Sequence, residues 1–249
     1  MSGGWNEPRI VSREEWTAAR KALLAEEKAY TRHRDALNAQ RQAMPWVKIE
    51  KSYDFDTIAG KKTLAQLFGG RSQLIVNHFI LGPGWKQGCV GCSFGADHID
   101  GGLVHLEHHD VSVVTVSRAA LPEILAYKAR MGWKFDWVSS FGSDFNYDFH
   151  VSFTPEQLAK GKVEYNYSLT EGEEELPGIS VFARNAAGEI FHTYSSYGRG
   201  AEELITTYMV LDLTPKGRNE NGPHHNLMDW VKCHDEYEGA RAETGSCGS

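Results

Sequence analysis

Two nearly continuous apolar runs, "QLIVNHFIL" (73–81) and "DVSVVTVS" (110–117), flank a segment that opens with a Cys-x-x-Cys, Cys89 and Cys92. A strand covered on both faces has no solvated side to alternate with, so it reads as an unbroken apolar run. Between the two runs Ile99, Leu103 and Leu106 are spaced by four and three, which makes one face of a helix, although Gly101 and Gly102 weaken it. Strand, Cys-x-x-Cys, helix, strand is a βαβ unit, whose strands are parallel and whose crossover is right-handed. Downstream, "RAALPEILAYKARMGW" repeats helically at Leu121, Ile124, Leu125, Lys128 and Met131, with Pro122 tolerated in the first turn. "FDWVSS" (135–140) is a short strand, and "GISVFA" and "IFHTYS" form a hairpin through "RNAAGE". "AEELITTYMVLDL" closes the zone as a helix.

The flanking segments extend this central zone, residues 46–213, without requiring a second domain in a chain of 249 residues. Residues 1–45 form an N-terminal helical extension: "SREE" is a capping box of Ser12 and Glu15, and one long helix is expected to end before Pro45. Its Ala and Leu face needs a cover, which a second copy in a homodimer would supply. "WVKIEKSYDF" reads as a strand or hairpin, and "TLAQLFGG" as a short helix stopped by Gly69 and Gly70. Residues 214–249 turn polar and irregular and end in a small-residue tail expected to be disordered. A net charge of -7 with scattered Lys and Arg argues against nucleic-acid or anionic-membrane partners. The longest apolar run, Leu74 to Leu81, is too short to span a bilayer. With no apolar leader and no disulfide framework among four cysteines, the expected compartment is the cytoplasm.

The placement of the cysteines gives them a chemistry. At a helix N-terminus, unpaired N–H groups and the positive end of the helix dipole favour a thiolate, so Cys89 is the expected nucleophile. Its thiolate would attack a substrate disulfide, and Cys92, one turn further in, would resolve the mixed disulfide. A Cys-x-x-Cys after the first strand of a βαβ, with a later hairpin and final helix, is the thioredoxin layout. Trp85 matches the outer tryptophan of that fold's active-site stretch, and Pro177 in "LPGISVF" occupies the place of its cis-proline. A cis Leu176–Pro177 bond is therefore expected, with Trp85, Gly88, Leu176 and Pro177 bordering the substrate.

"GCVGCSFGADHIDGG", "VSRAALPEILAYKARMGWKFDWVSSFGSDFNYDF", "LPGISVFAR", "FHTYSSYGRGAEEL", and "LDLTPKGR" with "MDWVKCHDEY" closely resemble a bacterial family of thioredoxin-like proteins, domain of unknown function 899. The resemblance runs from about residue 10 to residue 238. It implies an α/β, thioredoxin-like fold: a central mixed sheet flanked by helices, with an N-terminal helical extension, an aromatic-rich insertion and a C-terminal extension. It brings no established reaction, and suggests thiol–disulfide exchange at Cys89 and Cys92. The chain departs from thioredoxin in having Gly88 where a second Trp stands and Val90–Gly91 between the cysteines. The peroxiredoxin signature fails as well, since Lys86 stands where a hydroxyl residue should precede the cysteine. Asn77 or His78 could replace the buried acid of thioredoxin as proton acceptor, against the plainer reading of a hydrogen-bonded core residue.

Two other readings stay open. Cys89-x2-Cys92-x12-His105-x3-His109 has zinc-finger spacing, with His98 as a further candidate ligand. Residues 87–110, however, hold no Lys or Arg, and His105, His108 and His109 also read as a solvated turn. The alternative from a third class is a non-catalytic binding module that presents the block "GWKFDWVSSFGSDFNYDFHVSF" as a groove, although those rings also suit packing over the sheet. "EGEEEL" reads as a solvated loop. His224, His225, Cys233 and His234 have no regular ligand spacing and could instead fold over the site's mouth. No nucleotide-binding glycine fingerprint is present, so no cofactor is expected. The partners would be a protein or small-molecule disulfide and an external electron donor.

Overall fold

A computed structural model describes residues 8–239, which form two compact units divided between Trp46 and Val47. The first unit is α1 (Arg13–Gln42), an uninterrupted run without Gly or Pro. Ser12 Oγ accepts the Glu15 N–H while the Glu15 carboxylate accepts the Ser12 N–H, which is the expected capping box. None of its residues is buried.

The second unit runs β1 (Val47–Lys48), β2 (Asp54–Thr57), β3 (Gly60–Thr63), α2 (Leu64–Leu67), β4 (Gln73–His78), α3 (Val90–Ala96), α4 (Leu103–His108) and β5 (Val111–Ser117). It continues through α5 (Leu121–Met131), β6 (Asp136–Ser139), α6 (Phe145–Asp148), α7 (Pro155–Leu158), β7 (Val163–Tyr165), β8 (Ser168–Thr170), β9 (Gly178–Arg184), β10 (Ile190–Tyr197) and α8 (Thr206–Leu211). The main sheet has the order β1-β10-β9-β4-β5-β6-β2-β3. β4, β5 and β6 are parallel, and β9 turns antiparallel against β4 and pairs with β10 as a hairpin. This is the mixed, thioredoxin-like sheet expected, with the Cys-x-x-Cys directly after a central strand.

Side chains alternate across β4 and its neighbours, so the sheet carries a core on each face. Leu74, Val76, Val114, Val116, Val138 and Phe182 pack with Phe55, Phe68, Phe145 and Phe149 on one. Phe79, Leu81, Ile124, Tyr127, Met131, Trp133, Phe135 and Trp137 form the other. The aromatic block is thus mostly core, with Phe145 fully buried and Phe149 nearly so, while Phe141 is exposed.

Several expectations change. "WVKIEKSYDF" is no hairpin: β1 pairs with β10 at one edge of the sheet, and β2 pairs with β3 and β6 at the other. The helix after Cys89 is broken by a 3₁₀ turn at Asp100–Gly102, where two consecutive glycines weaken the α-helix. Residues 201–213 are likewise not one helix. Gly198–Leu204 is 3₁₀, and Ile205 leaves helical geometry to bury itself beside Phe94, Tyr208 and Val231, so local burial overrides propensity. Every peptide bond among the described residues is trans, including Leu176–Pro177. That segment is held from both sides, the Leu176 N–H donating to Val151 O at 2.8 Å and Tyr165 Oη donating to Pro177 O at 2.7 Å. The tail expected to be disordered lies outside the described residues. Among them, no helix is long and apolar enough to cross a membrane.

Candidate functional site

Cys89 is the N-cap of α3, at the helix end whose first N–H groups lack partners within the helix, although its side chain forms no cap hydrogen bond there. Its own N–H donates to Ile80 O at 3.0 Å, which anchors the cap to the end of β4. Cys92 lies one turn into the helix; both are free thiols and partly buried. The Cys92 thiol donates to the Cys89 sulfur, and the N–H groups of Cys92 and Gly91 add to it, while burial and the Glu173 carboxylate oppose. The balance brings Cys89 down to about 6. Cys92 moves the other way, held well above the usual thiol range because its proton is engaged by Cys89 and its site is buried. The pair is divided into a thiolate and a proton-retaining thiol, as a nucleophile and a later resolving group require.

A relay of hydroxyls backs the cap. Ser93 Oγ bonds to Cys89 O at 2.9 Å and to Tyr127 Oη at 2.9 Å, and Tyr127 Oη lies 3.2 Å from the sulfur of the fully buried Cys233. Burial and the Cys233 contact push the Tyr127 phenol up. Gln87 reaches the same sulfur at 3.5 Å, and Arg130 ties Gln87, Asp235 and Glu236 together. The C-terminal extension therefore folds against the dithiol helix, with Leu227 so near Gly91 that a Cβ there would meet Leu227 Cδ1 at 3.1 Å. On the remaining side stands Tyr165, whose hydroxyl accepts the Gly198 N–H at 2.9 Å. Burial raises it to about 12, with a contribution from Cys92.

The segment before Pro177 is fastened by Arg118 at the end of β5. Arg118 Nε donates to Glu175 Oε1 at 2.5 Å, Nη2 to Glu174 Oε1 at 2.8 Å, and Nη1 to the Tyr147 hydroxyl. Glu175, 3% exposed, also accepts from Ser152 Oγ at 2.6 Å. Burial raises its carboxyl against the pull of Ser152 and Arg118.

The other residues singled out by sequence fall as follows. Trp85 lies on the loop before α3 with its ring over Gly82, partly exposed. Gly88 is buried and has no room for a side chain: a Cβ would stand 2.4 Å from Phe79 Cε1 and 3.1 Å from Tyr127 Cε1. Replacing Gly88 with Ala is expected to cost about 1–3 kcal/mol by overpacking. Gly91→Ala should cost less, because Leu227 can yield; urea midpoints of the two variants check the order. Leu176 has its N–H already taken by Val151, and Pro177 presents its carbonyl to Tyr165. His78 is buried, stacked on Phe145 and Phe149 and bonded to Ser180 at 2.9 Å, and burial brings it down to about 3. Asn77 bonds to Thr115. Neither is hydrogen-bonded to the cysteines: His78 is a buried core residue, and Asn77 is partly buried and bonded within the sheet.

The zinc reading fails on topology. Because β4 and β5 are parallel, the chain leaving Cys92 must return to the start of β4 before β5 begins, a strand length of roughly 20 Å away. His109 arrives there, its carbonyl accepting from the Gln73 amide at 3.4 Å. Cys89, Cys92, His105 and His109 form no ligand group among the described residues, and His105, His108 and His109 are exposed. His98 is spent on Phe94 O and Thr207. His224, His225 and His234 join no such group either; the one that includes Cys233 adds Asp235 and Glu236, whose carboxylates already hold Arg130.

Tyr127, Ser93, Tyr165 and Glu173 were not legible as site residues. Tyr127 has a signal, since Ile124, Tyr127 and Met131 form the buried stripe of α5, one position away from the Lys128 that the helical repeat suggests.

The family model described as a bacterial protein of unknown function (DUF899) matches residues 5–237. No curated protein matches the chain. Among solved structures, a peroxiredoxin Q from Xanthomonas campestris is 13% identical over 66% of this chain and 91% of its own, with a TM-score of 0.41. The peroxidoxin BcpB from Mycobacterium tuberculosis is 10% identical over 68% and 96%, with a TM-score of 0.38. A reduced 2-Cys peroxiredoxin from Plasmodium vivax is 15% identical over 66% and 90%, with a TM-score of 0.39.

Proposed function

The chain belongs to the bacterial family of unknown function DUF899, and from its dithiol we propose that it is a thiol–disulfide oxidoreductase. The observation that carries the reading is the helix-capping Cys89, held near pKa 6 by the Cys92 thiol and two backbone N–H groups. The Cys89 thiolate attacks one sulfur of a substrate disulfide, forming a Cys89–substrate bond and expelling the other sulfur as a thiolate. Cys92 then loses its proton and attacks Cys89 Sγ. The remaining substrate thiolate leaves, and two electrons have passed from the dithiol, now an 89–92 disulfide, to the substrate. An external thiol reductant of the same compartment, the cytoplasm on this reading, restores the dithiol. A peroxidase is not proposed, because exposed Lys86 stands three residues before Cys89, where no hydroxyl can hold a peroxide.

The test is intact mass after alkylation across a graded glutathione buffer. The expected result is a reversible two-electron step confined to Cys89 and Cys92, with a potential between about -270 and -120 mV. Cysteines that stay reduced throughout would overturn the reading and leave a non-catalytic binding role.

The pH dependence follows from the opposed thiols. Cys89 is depressed in the folded chain, so its contribution to the stability of the reduced form is present above the unfolded thiol value of 9.0 and lost as pH falls through about 6. Cys92 is raised, so its contribution is present below 9.0 and lost only at higher pH. Between about 6 and 9 Cys89 governs, and the rate of iodoacetamide alkylation at Cys89 is expected to reach half its plateau near pH 6. A midpoint near 9 would contradict the arrangement.

A further inference from the structure

We propose that α1 is the dimerisation element of this protein, pairing antiparallel with α1 of a second copy about Tyr30. At 30 residues it is about 45 Å long, and four of its five large apolar side chains, Trp16, Leu23, Tyr30 and Leu37, form one stripe and are 36–60% exposed, with Leu24 beside it. A solitary helix draws little stability from propensity and most of it from packing an apolar stripe, and the side chains of this stripe are exposed.

The spacing indicates what kind of cover fits. Trp16, Leu23, Tyr30 and Leu37, followed by Met44 just past the C-cap, recur every seventh residue, and an Ala precedes each from Leu23 onward: Ala22, Ala29, Ala36 and Ala43. A straight α-helix drifts by about 20° per heptad, so a strict seven-residue stripe stays in register only against another helix that supercoils with it.

Charge decides the occupant and its direction. About Tyr30, antiparallel pairing sets position i of one copy against 60 − i of the other, which stacks Trp16 on Met44 and Leu23 on Leu37. It also brings Glu26 to Arg34 and Glu27 to His33, while Arg20 meets Gln40 and Arg41 meets Ala19. A parallel pair would instead set Glu26, Glu27 and Arg34 against their own copies. A second copy of this chain, reversed, is therefore the partner whose apolar side chains meet along the stripe and whose charges match at its centre, through Glu26–Arg34 and Glu27–His33.

Sedimentation equilibrium of the full chain is expected to give twice the 27.8 kDa chain mass. The double variant Leu23→Glu, Leu37→Glu should fall to the monomer mass, with dissociation at least 100-fold easier and the dithiol's alkylation unchanged. Tyr30→Cys, which meets its own copy in either direction, should give a disulfide-linked dimer on mild oxidation, and direction is read from the stripe's two ends. Trp16→Cys should cross-link only when mixed with Met44→Cys, with the wild-type chain controlling for its own cysteines. A wild-type chain that is monomeric at every concentration would overturn the proposal, whether or not Trp16 fluorescence shows that its own chain covers the helix. So would a dimer that survives the double variant, or Trp16→Cys linking to itself.

Discussion

Cys89→Ser protein is expected to reduce a protein disulfide no faster than solution does, a loss of roughly 10³-fold or more, while unfolding at the same urea concentration as wild type. The change exchanges one sulfur for oxygen at an N-cap, a position where serine is itself favoured, so α3 and the Ile80 anchor are retained. What is removed is the thiolate that the Cys92 thiol and the Gly91 and Cys92 N–H groups stabilise; a serine hydroxyl stays protonated in the same setting. Cys92→Ser should behave differently. The first attack remains possible, so the substrate stays attached to Cys89 and appears as a stoichiometric mass adduct. Turnover by Cys89→Ser, or the adduct forming on Cys92 instead, would refute the assignment of roles.

Arg118→Ala is expected to cost about 3–5 kcal/mol, because it leaves Glu175 buried without its cation. For a chain of this size that corresponds to a fall in Tm of about 10 °C. The sign with pH is specific. Glu175 is already raised above its ordinary 4.5 by burial, and loss of the guanidinium raises it further. A carboxyl raised in the fold contributes stability that is fully present below its unfolded value and lost as pH rises through its folded value. The deficit of Arg118→Ala should therefore be smallest near pH 4.5 and widen toward neutrality, and Glu175→Gln should restore much of it. Urea unfolding of the single and double variants across pH checks this; a deficit independent of pH would show that Arg118 acts through packing against Tyr147 alone.

The parts of the fold that were legible in the sequence are those whose signals are local. Ser12 and Glu15 cap α1 because capping is settled within four residues. Gly69 and Gly70 stop α2 because both take positive φ, which glycine alone adopts cheaply. The continuous apolar runs became β4 and β5 because strands buried on both faces leave no other trace. The dithiol was equally legible, since a Cys-x-x-Cys entering a helix brings its own dipole and N–H groups.

What the sequence could not settle are matters of convergence. Zinc spacing at Cys89, Cys92, His105 and His109 survives any reading of the chain as a line, and fails only because a parallel crossover must carry His109 to the far end of β4. The third cysteine of the site, Cys233, lies 144 positions after Cys89 and reaches it through Tyr127 and Ser93, a path no periodicity encodes. Ile205 breaks its helix to enter a core assembled from three distant segments. Local geometry and burial pattern depend on neighbours along the chain, so the residues alone determined the helix cap, the strands and the nucleophile. Which side chains surround that nucleophile depends on contacts between segments far apart in sequence, and only the tertiary structure decided them.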